Sequence, residues 1–296
     1  MSETPKHIKL LVTGSNGQLG QELKHLADSL PQLKTVFTDR EELDITDDEA
    51  VKDFVWKGEF SHIINCAAYT AVDRAESEPD LCHAINVVGA KNLAEVAKRH
   101  GVALIHISTD FVFDGSTNTP YKEEDPTAPL SVYGKTKRDS EKAVLTEAPC
   151  SIVIRTGWLY SSFGHNFVKT IMKLARQGKS LKVVDDQTGT PTYARDLASL
   201  LLRIVTTDRI PSGIYHYSNL GQTTWHDFAA KIMEYSSEKS PLSACSTVEY
   251  GAPAQRPAFS VLDKSKIMNA MGVDIPQWDE SLQKCIALMN SSEQNG

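Results

Sequence analysis

The chain has 296 residues, 41% of them apolar and 23% charged, with a formal net charge of −7. That length suits one large or two closely joined domains with a substantial core. The acidic balance offers no electrostatic footprint for nucleic acid or an anionic membrane, and no apolar run approaches the ~18 residues of a membrane span.

Ile8–Thr13 (IKLLVT) is a continuous apolar run, which predicts a strand buried on both faces. It feeds Gly14-Ser-Asn-Gly17-Gln-Leu-Gly20 and then an amphipathic helix to about Leu30. Gly14 permits a tight turn, Gly17 lets the backbone approach a pyrophosphate, and Gly20 lets the helix pack on the strand. A second strand, Lys34–Thr38, ends in Asp39-Arg40. Asp39 stands where an acid usually binds the adenosine ribose, while Arg40 is placed to meet a 2′-phosphate, so NADH and NADPH both stay open. Thr46 or Asp47 is expected to cap a helix carrying Val51, Phe54 and Val55. Asp44 and Ile45 either contact the adenine or form a plain capping loop. A third strand, Phe60–Cys66, closes in Ala67-Ala68-Tyr69-Thr70, whose small residues leave room for a cofactor or for close packing. Asp80–His100 reads as one helix ended by Gly101.

The next strand, Val102–Ser108, delivers Thr109 to a strand end, where open α/β sheets present catalytic groups. Tyr133 and Lys137 follow, four apart in a segment of helical composition and therefore on one face. A phenol, an ammonium and a strand-end hydroxyl form a carbonyl-reducing set: the phenol gives the proton, the ammonium lowers its pKa, and the hydroxyl orients the substrate oxygen. The bland reading of the pair is a half-buried Tyr beside a solvated Lys. Strand Ser151–Arg155 completes an alternation of strand and helix that predicts a Rossmann-type, doubly wound parallel sheet. Residues 1–155 read as the dinucleotide-binding domain. Residues 156–296 read as a smaller, mixed α/β region with helices at Asn166–Gln177, Ala194–Val205 and Trp225–Tyr235. Strands Leu181–Val184 and Ile214–Tyr217 are expected to join the first sheet, and Asn290–Gly296 to be a disordered tail. Five scattered cysteines without CxxC spacing suit free thiols in a reducing cytoplasm. The polar opening reads as no signal peptide, so a cytoplasmic location is expected.

Taken in order, the glycine loop, Asn65-Cys-Ala-Ala68, Ser108-Thr-Asp110 and Tyr133–Lys137 resemble the extended short-chain dehydrogenase/reductases, which act mostly on nucleotide-linked sugars. AAYTAVDRAESEP (67–79), STDFVFDG (108–115), PLSVYGKTKRDSEKAV (129–144), RTGWLY (155–160), DQTGTPT (186–192) and RPAFSVLDKSKI (256–267) are similar to the branch of dTDP-4-dehydrorhamnose reductases. The resemblance implies reduction of the C4 ketone of a dTDP-sugar, with Tyr133 as proton donor, Lys137 as its electrostatic partner and ribose anchor, and Thr109 orienting the carbonyl. It implies a dinucleotide held by Gly14, Asn16, Gly17, Gln18, Leu19, Gly20, Asp39, Arg40, Asp44, Ile45, Ala68, Tyr69 and Thr70, and tilts the choice to NADPH. Thr109, Asp110, Trp158, Asn166 and Arg256 would hold the sugar nucleotide. For Trp158 a buried aromatic anchor, and for Arg256 a helix cap or surface ion pair, are equal alternatives. Some members hold Mg²⁺ with glutamates between subunits. Here Glu22 is present, but Arg195 stands where a second acid is expected, so the sequence does not support a metal. Two rivals remain. One is a sugar-nucleotide dehydratase or epimerase on the same fold; the dehydratases place an Asp-Glu pair after the Thr, where this chain has Asp110-Phe111. A non-catalytic regulatory subunit of a methionine adenosyltransferase would not need the Thr109, Tyr133 and Lys137 set. A homodimer is left open.

Overall fold

In the computed structural model, which describes residues 8–207 and 212–294, the run Ile8–Thr13 forms strand β1, with Leu10, Leu11 and Val12 wholly buried. Helix α1 (Gln18–Ala27), β2 (Leu33–Thr38), α2 (Asp48–Gly58) and β3 (His62–Asn65) follow. Asp47 is the cap of α2, accepting the Ala50 N–H at 3.0 Å. After a short α3 (Val72–Ala75), the single helix expected over Asp80–His100 is instead α4 (Pro79–His83), a π-helical stretch (Ala84–Gly89) and α5 (Ala90–His100). Within the π stretch, the Asn86 amide clamps both backbone groups of Tyr69, at 2.8 and 3.2 Å, so the widened turn ties the loop after β3 to the helices. Gly101 ends α5 at φ +65°, the left-handed cap. Then come β4 (Ala103–Thr109), α6 (Val132–Glu147) and β5 (Ile152–Thr156).

Beyond β5 lie β6 (Leu159–Tyr160), α7 (Phe167–Arg176), β7 (Leu181–Val184), β8 (Thr188–Gly189), β9 (Thr192–Tyr193), α8 (Ala194–Thr206) and β10 (Gly213–His216). The chain continues through β11 (Thr223–Thr224), α9 (Trp225–Ser236), β12 (Leu242–Cys245), α10 (Thr247–Tyr250), α11 (Ser265–Met271) and α12 (Trp278–Gln294). Six parallel strands make the main sheet in the order β2-β1-β3-β4-β5-β10. One face is covered by α1 and α8 through Leu19, Leu23, Leu197 and Leu201. The other is covered by α2, α5 and α6 through Val51, Val55, Leu93 and Val144. The chain runs outward from β1 to β2 and then crosses back to β3. That reversal opens a crevice at the carboxyl ends of β1 and β3.

Two expectations need correction. β10 joins the sheet beside β5, but β7 does not: it pairs in parallel with β12. The edge beside β5 is already taken, and Leu181 and Val183 find their apolar partners in a separate core with Phe228, Ile232 and Leu282. The expected tail is helical through Gln294, as the continuation of α12, while residues 295 and 296 lie outside the described residues. Among the described residues no helix is long and apolar enough to cross a membrane.

One buried ion pair fixes α6 on the sheet. Arg155 of β5 gives two hydrogen bonds to Glu141 of α6, at 2.9 and 2.8 Å, with both side chains under 5% exposed. Removing one partner strands a buried charge, so Glu141→Gln is expected to lower unfolding free energy by about 3–5 kcal/mol. The double change Glu141→Gln/Arg155→Met should recover much of that loss in urea unfolding. Equal destabilisation by the single and double variants would show that the pair is not what holds the helix.

Candidate active site

The crevice is a cleft of about 780 Å³ that runs from the glycine loop, past Thr109, Tyr133 and Lys137, to Trp158 and Trp225. Its floor at one end is built for close backbone approach. Gly14 has φ +67°, and a Cβ there would lie 2.6 Å from the Ala67 backbone. A Cβ on Gly20 would lie 2.5 Å from Ser15 Cα, so both positions exclude any larger residue. Gly17, the N-cap of α1, supplies no side-chain cap, so the first N–H groups of α1 face the cleft free to meet an anion. The donor set fits a dinucleotide pyrophosphate. Asp39 and Arg40 line the cleft at this same end. The Asp39 carboxylate accepts the N–H of Asn16 at 2.9 Å and of Arg40 at 2.8 Å, which holds the glycine loop to the end of β2. The Arg40 side chain is exposed, its Nε 3.4 Å from Asp44. Gln18, Leu19, Ile45, Ala68 and Thr70 also line the cleft. Asn16 and Tyr69 are placed differently: Asn16 meets the site through its backbone N–H, and Tyr69 turns its hydroxyl to Glu78.

At the centre, Ser131 caps α6 by accepting the Gly134 N–H at 3.2 Å, which sets the register of the helix. Tyr133, Lys137 and Glu141 then fall on one buried face at successive turns. The Lys137 ammonium donates to Ile107 O at 2.6 Å. Burial pushes it down to about 8, against the opposing pull of Glu141. Burial raises the Tyr133 phenol, while a hydrogen bond with Thr109 works the other way. The Thr109 hydroxyl also donates to Asp110 Oδ1 at 3.1 Å. Asp110 is pushed up to about 6 by burial, partly offset by Ser260 and Thr109. Its carboxylate occupies the space over Gly157, where a Cβ would lie 2.5 Å from Oδ2.

The opposite wall comes from residues after β5. Trp158 stacks on Trp225 at 3.6 Å with 8° between the rings, and Phe167 meets Trp225 edge-on. Trp158 is therefore both an aromatic anchor and part of the cleft lining. Asn166 is the N-cap of α7, and its amide donates to Gln18 Oε1 at 3.0 Å and Ser161 O at 2.7 Å. It lines the cleft while joining the glycine-loop helix to this wall. Arg256 also lines the cleft, but its guanidinium is paired to Asp73 at 3.1 and 2.9 Å. Trp225, His165 and Phe167 were missed by sequence reasoning. Trp225 opens a helix and Phe167 follows a cap, and nothing in their spacing marks a cleft.

Glu22 does not fit a magnesium site. It is wholly buried, one oxygen accepts the Ser161 hydroxyl at 2.6 Å, and the other meets Arg195 Nε at 2.7 Å. The guanidinium already supplies the positive charge that a cation would bring.

Residues 8–291 match the family described as RmlD substrate binding domain. The chain is similar to the dTDP-4-dehydrorhamnose reductase of Aggregatibacter actinomycetemcomitans, 41% identical over 93% of this chain and 97% of that one. It is also similar to the solved dTDP-4-dehydrorhamnose reductase of Clostridium acetobutylicum (40% identity, TM-score 0.91, covering 96% of this chain and 100% of that one). A third relative is the Bacillus anthracis dTDP-4-dehydrorhamnose reductase in complex with NADP (36% identity, TM-score 0.92, covering 95% and 99%).

The state of Asp110 can be tested through stability. Its folded pKa is raised from 3.8 to about 6, so the folded chain binds this proton more tightly than the unfolded one. Its charge therefore costs stability in full above pH 6, and the cost fades as pH falls towards 4. Asp110→Asn is expected to stabilise the fold by about 2–3 kcal/mol at pH 7.5 and by much less at pH 4. Urea unfolding at the two pH values checks this, and an equal effect at both would refute a buried charged carboxylate.

Proposed function

The chain belongs to the RmlD substrate binding domain family, and from that premise we propose that it catalyses the NADPH-dependent reduction of the C4 ketone of dTDP-4-dehydro-L-rhamnose to dTDP-L-rhamnose. The observation that carries this reading is the single buried face of α6. It brings Tyr133 and Lys137, one turn apart, to the lining of the cleft that begins at the glycine loop. Bound at that loop, NADPH supplies the hydride. Residues 1–155 together with β10 would hold the dinucleotide, and residues 156–296 the sugar nucleotide.

Tyr133 is the proton donor. Burial keeps its phenol protonated at neutral pH, so a proton is ready for the alkoxide as it forms. Lys137 is charged below about pH 8. Its ammonium protons that do not bond Ile107 are free for the cofactor ribose. Thr109 reaches the same oxygen through its hydroxyl, and Asp110 accepts from a sugar hydroxyl beneath Gly157. Trp158, Asn166 and Arg256 complete the substrate half, Trp158 as a wall, Asn166 by tying that wall to α1, and Arg256 by tying its own loop to α3 through Asp73. Arg40, exposed at the cleft end, would meet the 2′-phosphate of NADPH. Asp39 would act by holding Asn16 and Arg40 in place.

The reductase reading is favoured over a dehydratase because the residue after Asp110 is Phe111, packed edge-on against Tyr133 at 5.7 Å, and no second acid stands there for elimination. The complete Thr109, Tyr133 and Lys137 set favours it over a non-catalytic regulatory subunit. Five unpaired cysteines fit a cytoplasmic enzyme.

Tyr133→Phe is expected to lower kcat by about 10²–10⁴-fold with NADPH affinity, read by nicotinamide fluorescence, within about twofold of wild type. Near-normal kcat would sink the assignment. Arg40→Ala should lower the ratio of kcat/KM for NADPH over NADH by about tenfold, the loss of about 1.4 kcal/mol of charge-assisted bonding. An unmoved ratio would remove Arg40 from the phosphate end.

A further inference from the structure

Beneath Lys137 lies a buried histidine that the chemistry above does not use. His106 sits on β4 immediately before Ile107, whose carbonyl takes the ammonium, and its ring is 1% exposed. Its Nδ1 is 3.1 Å from Asn65 Nδ2, and its Nε2 is 3.0 Å from Ser140 Oγ and 3.5 Å from Lys137 Nζ. Both ends of this chain of hydrogen bonds have a fixed direction. Asn65 Oδ1 accepts the Ala67 N–H at 3.1 Å and the Thr13 hydroxyl at 2.8 Å. A backbone N–H can only donate, so the amide oxygen faces Ala67 and the amide NH₂ faces His106. His106 Nδ1 must then accept. At the other end the Ser140 hydroxyl donates to Lys137 O at 2.6 Å, and a carbonyl can only accept. The lone pairs of Ser140 are left for His106, whose Nε2 must donate.

The two ends agree on a neutral ring protonated at Nε2. The edge that faces the Lys137 ammonium thus carries a hydrogen and no lone pair. We propose that His106, locked in this tautomer by Asn65 and Ser140, is a positioning residue that denies Lys137 an inward acceptor and so aims its ammonium into the cleft. The inference rests on the reading of Lys137 as part of the catalytic set, and it identifies what orients that residue.

Burial and the nearby ammonium hold the His106 imidazole well below its usual value, which keeps the ring neutral. The other groups acting on Lys137 are Glu141 from α6, Cys82 from α4 and Cys66 after β3. The Glu141 carboxylate is bound by Arg155 and Ser108. Burial pushes the Cys66 thiol up to about 12 and raises that of Cys82, so both stay neutral. Among the described residues that bear on the ammonium, His106 is the polar ring whose hydrogen can be reversed without adding bulk.

Asn65→Asp makes that reversal. A carboxylate still accepts from Thr13 and Ala67, but it demands a proton from Nδ1, and Nε2 then becomes an acceptor pointing at Lys137. The experiment pairs long-range ¹H–¹⁵N spectra of the histidine-labelled protein with the pH dependence of kcat and the KM for NADPH. Wild type should show His106 as the Nε2–H tautomer from about pH 5.5 to 8.5. Asn65→Asp should show Nδ1–H, an upward shift of the basic limb of about one pH unit, and a several-fold rise in cofactor KM as the ammonium turns inward. His106→Gln, which offers an acceptor and a donor in the same order, should keep both values close to wild type. An Nδ1–H or imidazolium ring in wild type overturns the proposal, and this is decided even if Asn65→Asp fails to fold. A changed tautomer with an unmoved pH limb and KM also overturns it, leaving His106 a packing residue. If wild type reduces no dTDP-keto sugar, the functional reading fails while the spectra and NADPH affinity still decide this one.

Discussion

The structure depends on burying charge along one helix face. Lys137 and Glu141 are both almost fully buried in α6, and Arg155 meets Glu141 from β5. An unpaired charge in such a place would cost several kcal/mol, so every neighbour is constrained. Ser108 and Arg155 satisfy Glu141, and Ile107 O takes a proton of Lys137. A one-residue slip of α6 would orphan all of them together. The same burial sets the chemistry, lowering the lysine towards neutrality and raising the phenol. Stability and reactivity here have one cause.

A second constraint joins the two halves of the cleft. Helix α1 begins at the glycine loop, yet its side chains bond to the far wall: Gln18 accepts from Asn166, and Glu22 takes Ser161 and Arg195. These contacts span 139 to 173 residues of sequence. The helix that presents its N-terminus to a pyrophosphate is therefore also the frame on which the aromatic wall hangs. A displacement of α1 would move both halves of the site together.

These two constraints explain what could be read in advance. The strand-helix alternation, the glycine loop and the Tyr133–Lys137 pair are local patterns, each set by a period or a backbone requirement within a few residues. They appear in the fold where the sequence places them. β7 and β10 are short apolar runs of the same kind, and only the competition for one sheet edge separates them. The π stretch at Ala84–Gly89 depends on Asn86 gripping Tyr69, a contact no helical period announces. Arg256 finds Asp73 across 183 residues, and Trp225 becomes cleft wall only by stacking on Trp158. The polar identities were visible, but their partners were not.

The aromatic wall shows how such long-range contacts are used. Trp158 has φ +50°, a left-handed conformation that a bulky residue adopts only against strain of about 1–3 kcal/mol. Two neighbours hold it there. Trp225 covers one face of its ring at 3.6 Å, and Gly189 leaves the space at its edge, where a Cβ would lie 2.5 Å from Cε2. Stacking of this kind contributes about 0.5–1.5 kcal/mol beyond burial, so a single aromatic contact offsets only part of the strain. The rest must come from burial of the cluster with Phe167 and Phe228. The wall is thus held by contacts within the fold, and the cost of ordering its side chains is met by folding.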